Sequence, residues 1–297
     1  MSERPPRAPG CIADHGRGLA LLVGLAASLA SCLHAAGLPA AETLVAPRVP
    51  GSMPGAYAVA QWKRDWPGCR FEDGVSEGRV SVVESAGTAW WRIAYPAGEF
   101  GPDRGGVAWR WPFADRSVRA CELEYRLRFD EGFEFVKGGK LPGLCGGPDT
   151  ITGGDACDGT RGWSVRLMWR RDGRGQAYVY HAAQRGTYGD EFDFPAAERF
   201  PIGTPIGVRI AVSMNDPARS DGTLRVWLTD HERRSRLVID RSDLRYTTVE
   251  GIGVDSLLFN TFHGGNDDAW APRRPCSACF TDFRITPGDA AAAVTPR

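Results

Sequence analysis

Apolar and polar residues alternate with a period of two along most of this chain, which predicts β-strands. Residues 121–129 alternate apolar and charged side chains without a break, and residues 208–214 alternate in the same way. Asp221 and Gly222 then precede an apolar stretch at residues 224–228, which predicts a hairpin. Further strands are predicted at residues 89–95, 162–170, 176–180, 237–239, 256–262 and 280–285.

Many short strands separated by Gly- and Pro-containing turns, with almost no helical periodicity and no internal repeat, predict an all-β protein. We expect a single-domain β-sandwich of jelly-roll type over residues 61–287. The Pro-, Ala- and Gly-rich residues 37–60 are interpreted as a linker, and residues 288–297 as a disordered tail.

Residues 1–36 have the pattern of a signal peptide. Arg4, Arg7 and Arg17 precede an apolar stretch at residues 19–30, which is too short to span a bilayer. We therefore expect the mature protein outside the cytoplasm, either secreted, periplasmic or anchored by a lipid.

Two cleavage positions fit this leader. The sequence Leu29-Ala30-Ser31-Cys32 resembles a lipoprotein cleavage box, and Cys32 would then carry the lipid anchor. Ordinary secretion with cleavage near Ala35 and Ala36 is the alternative.

Six of the eight cysteines lie beyond the leader, and an even number in an exported chain favours disulfides. The connectivity is open, and our hypothesis pairs Cys145 with Cys157, Cys276 with Cys279, and Cys69 with Cys121. A zinc site at Cys276 and Cys279 is a weaker alternative, because no second Cys pair or His pair accompanies it.

The charge balance limits the classes of partner. The 36 basic and 36 acidic residues give no net charge, so nothing indicates nucleic-acid binding. Recognition of an anion would depend on local placement of Arg and Lys. Only three residues are lysines, and two of them, Lys137 and Lys140, flank Gly138-Gly139, which we interpret as a turn. A lysine shifts its pKa on burial more readily than an arginine does.

A second candidate cluster lies on the next predicted hairpin. Ser164, Arg166 and Arg170 share one face of a strand, and Tyr178 and Tyr180 share one face of the following strand. A three-residue loop, 172–174, with a glycine in a left-handed conformation would put both sets on the same face. This register predicts Arg166 opposite Tyr180, and Met168 opposite Tyr178.

These side chains suit β-elimination in a uronic-acid polysaccharide. Cations or hydrogen-bond donors must neutralise the uronate carboxylate before C5 can lose its proton. Arg166 offers a bidentate fork for that carboxylate, and a tyrosine near positive charge can act as base or acid.

The segments 137–144, 164–169 and 178–180 together resemble polysaccharide lyase family 14, which includes alginate and glucuronan lyases with a β-jelly-roll fold. The later segment 259–272, with Gly264-Gly265 before Asp267-Asp268 and Trp270, is similar to the family as well. The resemblance covers roughly residues 85–285. It implies a lyase that cleaves a β-1,4-linked polyuronate, with alginate favoured and glucuronan as the alternative.

By this resemblance the catalytic residues are Lys140, Ser164, Arg166, Tyr178 and Tyr180. Lys140 is favoured over Lys137, and Tyr180 is favoured as base and acid because it is predicted to oppose Arg166. Ser164 would position the substrate or the catalytic tyrosine. Substrate-binding roles are assigned to Lys137, Arg170, His263 and Asp267. For His263 and Asp267, hydrogen bonding within a loop is the alternative, with metal binding less favoured.

We expect no organic cofactor and no metal, an anionic polysaccharide as the partner, and a monomer. Two other classes of function compete with the lyase. A non-catalytic sugar-binding jelly roll would need neither Lys140 nor Tyr180. A glycoside hydrolase needs two carboxylates across a cleft, for which Glu191 and Asp193 are the candidates.

Overall fold

A computed structural model of the chain describes residues 43–44, 47–50, 54–114 and 116–288. The predicted leader, residues 1–36, and residues 289–297 of the predicted tail lie outside the described residues, as do Cys11 and Cys32. The signal peptide and the disordered tail therefore remain predictions.

The described residues form fifteen strands, one α-helix and two short 3₁₀ turns. The helix is α1 (Val59–Asp65), and no helix in the described ranges is long and apolar enough to cross a membrane. The strands are β1 (Gly55–Ala56), β2 (Glu72–Asp73), β3 (Val80–Ser85), β4 (Thr88–Tyr95), β5 (Gly106–Pro112), β6 (Ala120–Phe129), β7 (Gly138–Gly146), β8 (Trp163–Arg170), β9 (Gly175–Tyr180), β10 (Asp190–Asp193), β11 (Ile206–Ser213), β12 (Gly222–Thr229), β13 (Ser235–Leu244), β14 (Ser256–His263) and β15 (Cys276–Pro287).

These strands form two antiparallel sheets. One has eight strands in the order β1-β3-β4-β15-β6-β11-β12-β13, and the other has seven in the order β10-β9-β8-β7-β14-β5-β2. The predicted all-β sandwich of jelly-roll type is confirmed. The predicted pairing of β11 with β12 is present, although residues 214–221 connect them in place of a tight two-residue turn.

Strand β7 corrects one prediction. Gly138-Gly139 is not a turn, because β7 begins at Gly138 and lies between β8 and β14. A Cβ on Gly139 would collide with the Trp169 ring and with the Phe262 carbonyl oxygen. The glycines therefore allow the neighbouring strands to approach closely. A Gly-Gly pair is also common in turns, so the sequence alone did not distinguish the two structures.

Aromatic side chains fill much of the space between the sheets. Trp66 follows α1 and packs its ring 5.0 Å from Trp91, 5.1 Å from Trp109 and 5.5 Å from Phe259, measured between ring centroids. Edge-to-face and tilted contacts of this kind add to the free energy gained by burying apolar area. Eight of the ten tryptophans are buried, and the exceptions are Trp227 and Trp270.

Part of the predicted linker contributes to the sandwich. Within residues 37–60, β1 pairs with β3, and the Leu44 N–H donates to the Ile285 carbonyl oxygen at 2.8 Å. Helix α1 begins at Val59 and buries Trp62 against Trp109. The boundary between linker and domain remains a prediction.

The β8–β9 hairpin confirms the predicted loop length and corrects the register. The Arg170 N–H donates to the Arg174 carbonyl oxygen at 2.7 Å, so the turn closes between these residues, one residue earlier than predicted. The three residues inside it are Arg171–Gly173, and Asp172 and Gly173 both have positive φ. Arg166 consequently opposes Tyr178 and not Tyr180, although all three side chains share a face as predicted.

The predicted disulfides are absent, because all six described cysteines are free thiols. Cys276 and Cys279 are three residues apart on β15, and the period-two geometry of a strand points them to opposite faces. The Cys157 thiol instead contacts the Gly162 carbonyl oxygen at 3.3 Å. For the same reason, Cys276 and Cys279 do not point toward a common zinc ion, as the alternative zinc site would require.

We expect reduction with dithiothreitol to leave Tm unchanged, because no cross-link is removed. Loss of a native disulfide costs about 2–5 kcal/mol, and a domain of this size shifts its Tm by about 2–4 °C per kcal/mol. Calorimetry with and without reductant measures this directly. A fall of several degrees on reduction would contradict the free-thiol assignment, and peptide mapping after alkylation would identify the bonded pair.

Candidate active site

Strands β8 and β9 carry apolar side chains toward the sandwich core and functional side chains toward the opposite face. The odd-numbered side chains of β8, from Trp163 to Trp169, are fully buried. Of the even-numbered ones, Arg166, Met168 and Arg170 line a cavity of about 440 Å³, whereas Ser164 is fully buried and is not among its lining residues. Its lining residues are Gly101, Pro102, Lys140, Thr152, Gly153, Arg166, Met168, Arg170, Tyr178, Tyr180, Tyr188, Glu191, Asn260, Phe262, Gly265, Asn266 and Trp270.

Arg166 places an uncompensated positive charge in this cavity. Its side chain is 2% exposed, and its Nε and Nη2 have no hydrogen-bond partner among the described residues. Burial lowers the pKa of Arg166, while Tyr180 and Tyr178 oppose that shift. A buried guanidinium without a carboxylate is costly, so the site is prepared to bind an anion.

Lys140 brings a second cation to the same site. On β7 it pairs with Met168 of β8, and its Nζ lies 2.9 Å from the Met168 Sδ. The same Nζ lies 3.4 Å from the centroid of the Tyr178 ring. Burial lowers the pKa of Lys140 well below its usual value, and the positive charges of Arg166 and Arg170 lower it further.

Tyr178 and Tyr180 stand side by side, with ring centroids 5.5 Å apart and planes at 82°. The Arg166 Cζ lies 5.8 Å from the first ring centroid and 5.9 Å from the second. Burial raises the pKa of Tyr178, and the neighbouring Tyr180 raises it further, while Arg166 lowers it. Both phenol groups therefore lie beside the guanidinium, as the shared face predicted.

Ser164 acts on the structure through a loop. Its buried Oγ donates a hydrogen bond to the Ile151 carbonyl oxygen at 2.6 Å. Ile151 belongs to residues 147–162, which we name the cleft loop. The Gly154 N–H of the cleft loop in turn donates to the Tyr180 hydroxyl oxygen at 2.8 Å. Ser164 thus supports Tyr180 through the cleft loop, and its proton is already engaged.

Arg110 holds the start of the cleft loop, and sequence reasoning did not find it. Its buried guanidinium donates to the carbonyl oxygens of Gly147 and Asp149 at 2.6 Å and 2.9 Å. The Asp255 carboxylate pairs with it at 2.8 Å. Arg110 lies on β5, which was not among the strands predicted from the sequence. No pattern in the sequence therefore indicated this role.

Three of the predicted substrate-binding residues gather around Trp270. Arg170 lines the cavity, with its Cζ 5.8 Å from the Trp270 ring centroid and an ion pair to Glu191 at 3.6 Å. Lys137 lies outside the lining, 5.6 Å from the same ring, and pairs with Asp267 at 3.2 Å. Asp267 also accepts a hydrogen bond from the Ala269 N–H, which orders the turn that carries Trp270.

His263 does not reach the cavity, so its predicted contact with substrate is not available in this structure. Its side chain is fully buried, and Nε2 contacts the Glu134 carbonyl oxygen at 2.8 Å. Its ring packs against Phe133 and Trp169. Burial lowers its pKa to about 4. Strand alternation explains this, because His263 has the parity of the core residues of β14, whereas Phe262 faces the cavity.

The same alternation identifies Asn260, which sequence reasoning missed. Asn260 and Phe262 are both even-numbered residues of β14, and both line the cavity. Glu191 lines the cavity as well, opposite Tyr178 in the β9–β10 register. Among the described residues, no group of three or more His, Cys, Asp or Glu is placed to hold a metal ion.

We expect Lys140→Met to raise Tm at neutral pH, because it removes a half-buried charge whose pKa is lowered by loss of contact with water. The folded-state pKa of Lys140 lies below the unfolded value, so the unfolded chain binds the proton more tightly. Between the two pKa values, stability therefore falls as pH falls. The gain in Tm should be a few degrees at pH 6 and should shrink toward pH 10. Thermal melts of both proteins across this range measure it, and a lower Tm for the variant at pH 6 would contradict the expected penalty.

The chain matches one family model and several solved structures. The model of the family "Polysaccharide lyase 14" matches residues 83–283. No curated protein sequence matches the chain. The PL-14 alginate lyase from Aplysia kurodai is 24% identical with a TM-score of 0.73, over 84% of this chain and 100% of that one.

Two further structures have a similar fold. A variant of alginate lyase Aly36B in complex with alginate trisaccharide is 23% identical with a TM-score of 0.70, over 82% of this chain and 98% of that one. The endo-β-1,4-glucuronan lyase from the fungus Trichoderma reesei is 12% identical with a TM-score of 0.50, over 80% of this chain and 95% of that one. These structural likenesses establish the shared fold, and the family match covers most of the jelly roll. The chain belongs to polysaccharide lyase family 14 and is a polysaccharide lyase.

Proposed function

We propose that this lyase cleaves a β-1,4-linked polyuronate by β-elimination, with alginate, chiefly polymannuronate, as its substrate. The observation that carries this proposal is the buried Arg166 guanidinium, which has two unpartnered nitrogens beside Tyr178 and Tyr180. A buried cation of this kind favours an anionic ligand over a neutral sugar.

Arg166 would bind the carboxylate of the uronate at the cleavage site. Charge on that carboxylate opposes loss of the C5 proton, and the guanidinium stabilises the enolate-like intermediate that forms. Lys140 adds a second cationic group, with its Nζ 3.4 Å from the centroid of the Tyr178 ring. Because burial lowers its pKa, Lys140 can also exchange a proton nearer neutral pH than an ordinary lysine.

Tyr180 would remove the C5 proton and return a proton to the O4 leaving group. The C4–O4 bond then breaks, and a C4=C5 double bond remains in the new non-reducing end. The Gly154 N–H already donates to the Tyr180 oxygen, and such a donor stabilises negative charge on that oxygen. Ser164 and the cleft loop would keep this oxygen in place.

The relatives support alginate as the substrate and glucuronan as the second candidate. The Aplysia kurodai protein and Aly36B are alginate lyases, and variants of Aly36B are seen with alginate trisaccharide and tetrasaccharide. The fungal neighbour with a glucuronan activity has the lower TM-score. Both substrates present the same carboxylate to Arg166.

The setting proposed for the enzyme is outside the cytoplasm, as a monomer with an anionic polysaccharide as partner. The basic and apolar pattern of residues 1–36 supports export, with Cys32 as the anchor point if the lipoprotein box is used. A polysaccharide substrate is consistent with that location.

Two other functions are less well supported. Glycoside hydrolysis needs two carboxylates across the cavity, but Glu191 is the one carboxylate among its lining residues. Asp193 instead accepts a hydrogen bond from Gln176. A sugar-binding protein without chemistry has no need of the buried Arg166 guanidinium with the half-buried Lys140 beside it.

Elimination can be measured by the ultraviolet absorbance of the C4=C5 double bond. We expect absorbance to rise with polymannuronate when the chain lacking residues 1–36 is assayed. Polyguluronate, glucuronan and hyaluronan complete the panel. A rise in absorbance with glucuronan alone would make glucuronan the substrate in place of alginate. New reducing ends without a rise in absorbance would contradict the elimination mechanism.

Tyr180→Phe tests the proposed base and acid. We expect turnover to fall on the order of 100-fold to 10,000-fold, because general acid–base catalysis contributes that much. Polymer binding should persist, because the ring and Arg166 remain. Tyr57→Phe is the matched control, since Tyr57 is a buried tyrosine that is not among the cavity lining residues. Near wild-type turnover in Tyr180→Phe would refute this assignment.

A further inference from the structure

Asn260 is a buried polar residue whose hydrogen-bonding capacity is unused. Its side chain is 5% exposed and lines the cavity. Its Oδ1 is buried without a partner, and no hydrogen bond to its amide is formed within the described parts of the chain. An unsatisfied buried polar group costs about 1–3 kcal/mol, so its presence at a cavity wall calls for a ligand.

The strand register directs Asn260 to the cationic part of the cavity. The next residue on its face, Phe262, pairs with Lys140 across β7 and β14. The register shifts between Leu258 and Phe262, so Asn260 has no paired residue on β7. On β7 the residue opposite Arg166 is Gly143, which contributes no side chain between β8 and β14.

Asn215 provides a contrast within the same chain. It is also fully buried, but its Nδ2 donates to the carbonyl oxygens of Asp216, Arg219 and Thr247. Its Oδ1 accepts from the Tyr246 and Thr247 N–H groups. Asn215 is therefore a satisfied structural asparagine, and Asn260 has none of these contacts.

We propose that Asn260 is a further catalytic residue, whose amide contacts the uronate carboxylate held by Arg166. This inference rests on the proposed function. The amide nitrogen would donate a hydrogen bond to a carboxylate oxygen, approaching from β14 while Arg166 approaches from β8. As the C5 proton leaves, negative charge grows on the carboxylate oxygens, and a donor aimed at them stabilises that charge.

The experiment compares Asn260→Leu, Asn260→Asp and the control Asn215→Leu. Thermal melts, and kcat and KM from ultraviolet absorbance on the most active polymer, are measured for each. Asn260→Leu should keep or raise Tm, because it removes an unsatisfied polar group, and should lower kcat/KM on the order of 100-fold. Asn215→Leu should lower Tm, because five hydrogen-bond partners lose their contact.

Asn260→Asp distinguishes a carboxylate contact from a hydroxyl contact. An aspartate repels the uronate carboxylate, so it should lower kcat/KM at least as much as the leucine does. An aspartate that retained wild-type kcat/KM while the leucine lost it would indicate a sugar hydroxyl and overturn the proposal. Wild-type kinetics in Asn260→Leu, or loss of activity only in step with loss of Tm, would overturn it as well.

The failure of this inference can be separated from failure of the proposed function. If the wild-type chain eliminates none of the four polymers, the proposed reaction is contradicted. The contact between Asn260 and the uronate is then tested by the affinity for a mannuronate tetramer, measured by calorimetric titration of both proteins. At least tenfold weaker binding by Asn260→Leu supports the contact, and equal affinity or no binding to either protein contradicts it.

Discussion

Strand β8 has to serve two environments at once, and the rest of the site depends on that constraint. Its odd-numbered side chains are sealed in the core, so the strand cannot shift by one residue without moving Trp163 and Trp169 into the cavity. The packing of four apolar side chains therefore fixes the direction of Arg166. Neighbouring strands β7 and β9 inherit the same alignment through their hydrogen-bonded registers. The packing of the core and the placement of Arg166 therefore depend on the same strand register.

The alternation of the sequence predicted the sandwich, and alternation together with a loop of three residues predicted the shared face of Arg166, Tyr178 and Tyr180. It could not predict the register, because Asp172 and Gly173 both adopt left-handed backbone conformations, and a sequence does not say which residue of a turn begins it. The central strand β7 was missed for a related reason. Its glycines allow neighbouring strands to approach closely, and glycines that begin a turn have the same local sequence.

Long-range contacts account for what else was missed. Arg110 contacts residues 37 to 39 positions away, and nothing in its local sequence indicates those partners. The parity of β14 was available from the sequence, and it separates Asn260 from His263 once the cavity face is known. The disulfide hypothesis failed at Cys276 and Cys279 because the predicted strand began at residue 280, and the direction of the two side chains follows only once both lie on β15. The local sequence pattern thus predicts which face of a strand a side chain occupies. Its hydrogen-bond partners depend on tertiary contacts.

Three of the contacts that hold the cleft loop are made to its backbone. Arg110 donates to two carbonyl oxygens, and Ser164 donates to a third at Ile151. Every residue type supplies a carbonyl oxygen, so the anchors at Asp149 and Ile151 do not depend on the side chains there, whereas the positive φ of Gly147 favours glycine. Mutations in the side chains that face the cavity, such as Thr152, can therefore accumulate without moving the loop. A change in the preferred polysaccharide would therefore need no new support for Tyr180.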